Sequence, residues 1–261
     1  MRYEHNHQSF MTLLLAGLLM AGLCGFTSSA QGATITGSAS VVSVNDPAFD
    51  LTARGNIDWA YWDTTSSSVT GDPTNEKAGA SVVGSLSAIN GTGLRGSTAD
   101  TKADFTFTDG TSPVSSTVNN VSGVFNQTLN TEDVGLSLDL TLPTAKTYTV
   151  YLWLSIYDGT GTLTATLPTA SLTDDSALSA GQSSEKFTFL YTLEVTADNP
   201  GEVLDLDLVL SVNGTEGSLS HVLIDGVAVS IPTPAALPAG LAMMGLMALR
   251  RRQPMRMHTG K

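Results

Sequence analysis

The chain has 261 residues, a net charge of −12 and a single cysteine. Between Gln31 and Pro232 its only basic residues are Arg54, Lys77, Arg95, Lys102, Lys146 and Lys186, which argues against a nucleic-acid partner, since that would need clustered cations to displace counterions. Cys24 lies in an apolar N-terminal run, so the body that follows has no disulfide and no thiolate metal site. Its acidity suits a solvated surface or a bound cation, and its wealth of Thr, Ser, Gly, Ala, Leu and Val suits β-structure outside the cell.

Residues 1–30 read as a helical secretory signal peptide. Arg2 gives the short basic start, Met11 to Phe26 the apolar run, and Ser28-Ser29-Ala30 a small-residue cleavage site, with cutting after Ala30 or Ala33. The Sec translocon and signal peptidase are the partners this implies. A lipoprotein signal is the competing reading of Cys24, but Leu23 stands where a small residue is expected.

The body, 34–230, is one expected domain. Ala33 to Val44 alternates as a first strand, and Asn45-Asp46-Pro47 turns the chain. LTARGNIDWAYW, Leu51 to Trp62, brings two tryptophans and a tyrosine together beside Asp58 and Asp63. Polar loops at 66–75 and 90–101 flank an expected strand over Lys77 to Ile89. DFTFT at 104–108 runs into the turn Asp109-Gly110-Thr111, and 112–133 is loop-rich with one short strand near Val121 to Phe125.

The second half is plainer. Leu136, Leu138, Leu140 and Leu142 alternate with Ser137, Asp139 and Thr141, which predicts one buried and one wet face. Tyr148 to Tyr157 is apolar on both faces and predicts a central strand. Asp158-Gly159, with Gly161, is expected to make a hairpin turn into Leu163, Ala165 and Leu167. Phe187 to Val195, Leu204 to Leu210 and Leu219 to Val229 complete the strands, with turns at Asn199-Pro200-Gly201 and Asn213-Gly214. No helical period occurs between the termini. Many short strands between turns predict an all-β fold, an antiparallel β-sandwich most simply built as a jelly roll.

Several residues could carry chemistry. Trp59, Tyr61 and Trp62 could form a sugar-stacking platform, with Asp58 and Asp63 bonding hydroxyls and Trp153, Tyr151 and Tyr157 contributing from elsewhere; ordinary core packing explains the same residues. Asp109, Asp158 and Asp225 are candidates for a Ca²⁺ site, although no D-x-D-x-D-G loop is present and Asp-Gly turn chemistry accounts for each. A carboxylate pair spaced for glycoside hydrolysis is a remote third reading. His221 is the only histidine between the termini, and no G-x-S-x-G elbow, P-loop or helix-opening G-x-G-x-x-G appears. The pieces LTARGNIDWAYW, FTDGT at 107–111, YTVYLWLSIYDG at 148–159 and HVLIDGVAVS at 221–230 resemble galactose-binding-like jelly-roll modules of secreted bacterial proteins. That resemblance implies glycan binding and a structural calcium.

The tail, 231–261, is IPTPAALPAGLAMMGLMALRRR followed by QPMRMHTGK. Pro232, Pro234 and Pro238 lack backbone donors and end the preceding strand. About fifteen apolar residues as a helix span roughly 22 Å, short of a ~30 Å bilayer core. Arg250, Arg251 and Arg252 are expected to stay cytoplasmic, with the body outside. The order Pro232-Thr233-Pro234, apolar run, Arg triplet resembles the PEP-CTERM sorting signal of exosortase substrates. The family motif carries glutamate where Thr233 stands, which leaves open the variant of processing enzyme. The resemblance implies transient anchoring in the inner membrane, cleavage by an exosortase-type membrane protease, delivery to the cell surface or extracellular matrix, and a setting rich in exopolysaccharide. The whole reads as an exported, non-enzymatic protein with a structural or adhesive role and no required cofactor. A carbohydrate-binding module is the alternative.

Overall fold

The computed structural model describes residues 32–98, 101–174, 178–214 and 219–232. The expected signal peptide, and the tail residues Thr233, Pro234, Arg250, Arg251 and Arg252, lie outside the described residues. Strands β1 to β15 are, in chain order, Thr34–Val41, Phe49–Asp50, Asp58–Tyr61, Asn75–Glu76, Ser87–Ile89, Leu94–Gly96, Phe105–Phe107, Ser116–Val118, Val124–Asn126, Gly135–Leu142, Thr147–Leu167, Ala170–Asp174, Ser179–Thr196, Glu202–Asn213 and His221–Ser230. The one helix among the described residues, α1, is Leu51–Arg54.

Twelve strands form one curled antiparallel sheet, whose main path is β4-β3-β15-β11-β14-β10-β5. The curl comes from β11, whose 21 residues serve two sets of neighbours. Residues 147–157 pair with β13 and β15, and residues 159–167 pair with β14 and β12. β1 adds to β13, while β6 and β9 add beside β15. The remaining three strands make a small sheet, β2-β7-β8, in which β2 and β7 run parallel.

The leucine alternation sets the registers. Leu136, Leu138 and Leu140 lie opposite Leu208, Leu206 and Leu204, all turned into the main core. Asp139 and Asp205 pair on the other face. Tyr148, Val150, Leu152, Leu154 and Ile156 of β11 meet Val195, Leu193, Tyr191, Phe189 and Phe187 of β13 across the same interior. Each fully buried leucine contributes about 1.5–3 kcal/mol.

A second core lies on the opposite face of β3, β11 and β15. There Trp59, Tyr61, Trp153 and Ala228 are covered by Leu51 of α1, Phe105 and Phe107 of β7, Val42 and Val121. β3 is therefore buried on both sides, with Ala60 in the first core and Trp59 and Tyr61 in the second.

Four expectations change. Asp158-Gly159 is no hairpin turn: β11 runs through it, the pairing shifts register there, and Asp158 takes φ 47°. The left-handed conformation that suits a tight turn serves here as a β-bulge. Asp225-Gly226 behaves likewise, as Trp153 pairs with Gly226 and Leu154 with Ile224, leaving Asp225 the extra residue. The strand expected over 77–89 shrinks to β5, with isolated bridges from Lys77 to Gly110 and from Val83 to Leu140. β12, the polar start of β13, and α1 escaped the periodicity altogether. α1 is a single turn, capped by Asp50, which accepts from the Ala53 N–H at 3.0 Å, and closed by the Gly55 N–H donating to Leu51 O at 2.7 Å. A Cβ at Gly55 would lie 2.5 Å from Asp58 O, so glycine permits the close approach of helix and strand.

Candidate functional site

The aromatic residues of 59–62 are interior. Trp59, Tyr61 and Trp62 are 0%, 4% and 1% exposed, so none offers a ring face to a sugar. The Trp62 indole N–H donates to Gly71 O at 2.8 Å, and that of Trp59 to Asp109 Oδ1 at 2.9 Å. Trp59 also packs against Phe107 at 4.9 Å between ring centroids. The expected stacking platform is thus core packing: a layer of strands and loops covers what the sequence leaves looking like an aromatic surface. Trp153 is equally buried, with the Phe105 ring edge-on at 5.0 Å.

The carboxylates beside that cluster hold backbone. Asp58 is buried, and its oxygens accept from the N–H groups of Trp59, Val82 and Val83 at 2.7, 2.8 and 2.9 Å. Burial pushes its pKa up, against the pull of those three bonds. Asp63 is half-buried and accepts from Ser122 N–H at 3.0 Å. The two do not frame an open cleft of the kind a glycosidic bond would need.

The three candidate calcium aspartates go to three places. Asp109 accepts from Thr52 Oγ1 at 2.6 Å, from Trp59 and from Lys77 Nζ. Partial burial raises its pKa, but the bonds from Lys77, Thr52 and Trp59 outweigh that and leave it below the ordinary value. Asp158 sits in the β11 bulge and Asp225 in the β15 bulge, both fully buried. Among the described residues no three acidic, histidine or cysteine side chains converge as a metal set. The shared cation site expected from sequence is therefore not formed by Asp109, Asp158 and Asp225.

Asp225 instead ends a buried polar chain. Lys102 N–H donates to Thr188 Oγ1 at 3.0 Å, Thr188 and Ser155 hydroxyls meet at 2.8 Å, and Ser155 Oγ donates to Asp225 Oδ2 at 2.6 Å. Lys186, also buried, bonds Ser97 Oγ. Burial raises the Asp225 pKa strongly, while Ser155 and the charge of Lys186 pull it down. The knot links β11, β13 and β15 to the covering segment around 97–123.

The open site is at the end of the last strand. β15 ends at Ser230, and the Asn56 side chain then brackets the next residue: its Oδ1 accepts from Ile231 N–H at 3.0 Å, and its Nδ2 donates to Ile231 O at 3.1 Å. Pro232 follows, exposed. Beside this exit lies a groove of about 600 Å³ lined by Arg54, Asn56, Thr149, Tyr151, Ser230 and Pro232, among others. Arg54, at the end of α1, stands over two rings, 5.2 Å from Phe49 and 4.9 Å from Tyr151. Neither Arg54 nor Asn56 was singled out from sequence. One signal was available, since Arg54 is among six basic residues in a strongly acidic body. The chain matches no known family model and no curated protein.

Proposed function

We propose that the chain is an exported β-sandwich protein with a structural or adhesive role at the cell surface or in the extracellular matrix. In this reading, the two halves of β11 carry the two layers of the sandwich. A helical signal peptide directs export, and a PEP-CTERM-like tail holds the protein in the inner membrane until an exosortase-type protease removes it. One observation carries the proposal: the last strand ends at Ser230, Asn56 closes off Ile231, and the Pro-Thr-Pro gate begins at the next residue. The last strand thus ends just before the Pro-Thr-Pro gate that this reading requires. Fractionation of the producing cell tests it. The full chain should reach the surface or matrix, and a chain with Arg250, Arg251 and Arg252 changed to Gln should not. Equal delivery of both would count against the sorting role.

A carbohydrate-binding module is the second reading. It is favoured by the groove at Arg54 and Tyr151 rather than by the aromatic residues of 59–62.

A further inference from the structure

We infer that the groove beside the chain exit is a subsite for a carboxylate-bearing sugar, with Arg54 as its anion anchor. This deepens the carbohydrate-binding reading and relies on export for the place where such a sugar is met.

Lys77 is paired with Asp109, and Lys186 is buried against Ser97. Arg95 and Lys102 each stand over one ring, Phe125 and Phe187. Arg54 alone stands over two, and among the described residues its guanidinium has no hydrogen-bond or carboxylate partner. Arg95, Lys102 and Lys146 also lack a carboxylate partner among the described residues, so what sets Arg54 apart is its place, over two rings and lining the groove. The guanidinium stands over the two rings and lines the groove, and its planar N–H fork matches a carboxylate in bidentate fashion. Holding the side chain against aromatic faces also lowers the entropy lost on binding.

The rest of the groove suits a sugar better than a simple anion. Its volume falls within the range of small-molecule sites and leaves room beyond the carboxylate for a pyranose ring. Thr149 presents a hydroxyl. Ser230 presents another, engaged only by a long 3.5 Å bond to Thr149 O. The Tyr151 ring is half-buried and forms one wall. The walls are rigid: Thr149 and Ser230 are paired across β11 and β15, and Asn56 fixes the rim. A neutral sugar would leave the guanidinium unpaired, so the charge supplies the selectivity.

The test is calorimetric titration of the full-length chain, in mild detergent, with trigalacturonate, maltotriose and triglutamate. Trigalacturonate should bind and the other two should not. Arg54→Gln should weaken binding at least about tenfold, as loss of a charged hydrogen bond predicts, with Arg54→Lys between the two. Thermal midpoints of the variants report folding, and Thr149→Val provides a second probe of the same groove, with an expected loss of several-fold. The inference is overturned by any of four results: no binding of trigalacturonate, equal binding of maltotriose, equal binding of triglutamate, or undiminished binding by a folded Arg54→Gln chain. Surface delivery, measured by fractionation, is independent of this titration, so failure of either reading is visible separately.

Discussion

The free carboxylate oxygen of Asp225 lies against the Cα of Gly123, so that a Cβ on Gly123 would overlap it. The other bulge repeats the arrangement: the unpaired oxygen of Asp158 faces the Cα of Gly214. In each bulge a buried aspartate is closed over by a glycine from a neighbouring segment. Gly123→Ala and Gly214→Ala should therefore each destabilise the protein by about 2–4 kcal/mol, from overpacking against a group that cannot move into solvent. Gly201→Ala is the control. Its φ of 81° is also left-handed, but nothing lies within 4 Å of the added carbon, so only the backbone strain of about 1 kcal/mol should appear. Urea denaturation midpoints measure the difference.

Asp225 and His221 should give opposing slopes of stability against pH. Burial raises the Asp225 pKa from 3.8 to about 7, so the folded state keeps a proton that the unfolded chain releases. That contribution is complete below pH 3.8 and is lost as pH rises through 7. Burial lowers the His221 pKa from 6.5 to about 4, so its contribution is complete above 6.5 and is lost as pH falls towards 4. Asp225→Asn removes the first slope and leaves the second. The melting temperature of the natural chain should therefore gain on that of the variant as pH falls from 8 to 5. A constant difference across that range would contradict the assignment.

Trp59→Phe should cost about 1–3 kcal/mol through the lost bond to Asp109 and the repacking around Phe107. Binding of trigalacturonate should be unchanged. The reverse pattern, intact stability with lost binding, would return the aromatic residues of 59–62 to the surface role that their sequence first suggests.

Asn56→Ala should loosen the exit without unfolding the body. The Ile231 amide, which donates to Asn56 Oδ1, is expected to exchange with deuterium about tenfold faster in the variant. The Ile57 amide, donating to Val229 O at 3.1 Å, should keep its protection. Equal acceleration at both positions would mean that Asn56 holds the whole edge rather than the exit alone.

What the sequence makes legible follows from which faces are wet. β10 and β14 alternate because one face meets solvent, and Leu138 and Leu206 are assigned inward from sequence alone. β3 does not alternate, because all four of its residues are buried, and its Trp59 and Tyr61 then read as surface as easily as core. The pairs Asp158-Gly159 and Asp225-Gly226 carry the same local chemistry as a hairpin turn. Only the long-range pairing of β11 with β13 and β15 makes them bulges. The groove at Arg54 joins a one-turn helix, the middle of the chain and its exit, residues separated by more than a hundred positions. No local pattern announces that meeting.

The proposal that a removable address begins where the fold stops is tested most directly by mass spectrometry of the protein recovered from the cell surface. It should begin at about residue 31 or 34 and yield no peptide beyond about Pro234. A surface-borne form that still carries the segment from Arg250 to Lys261 would contradict it.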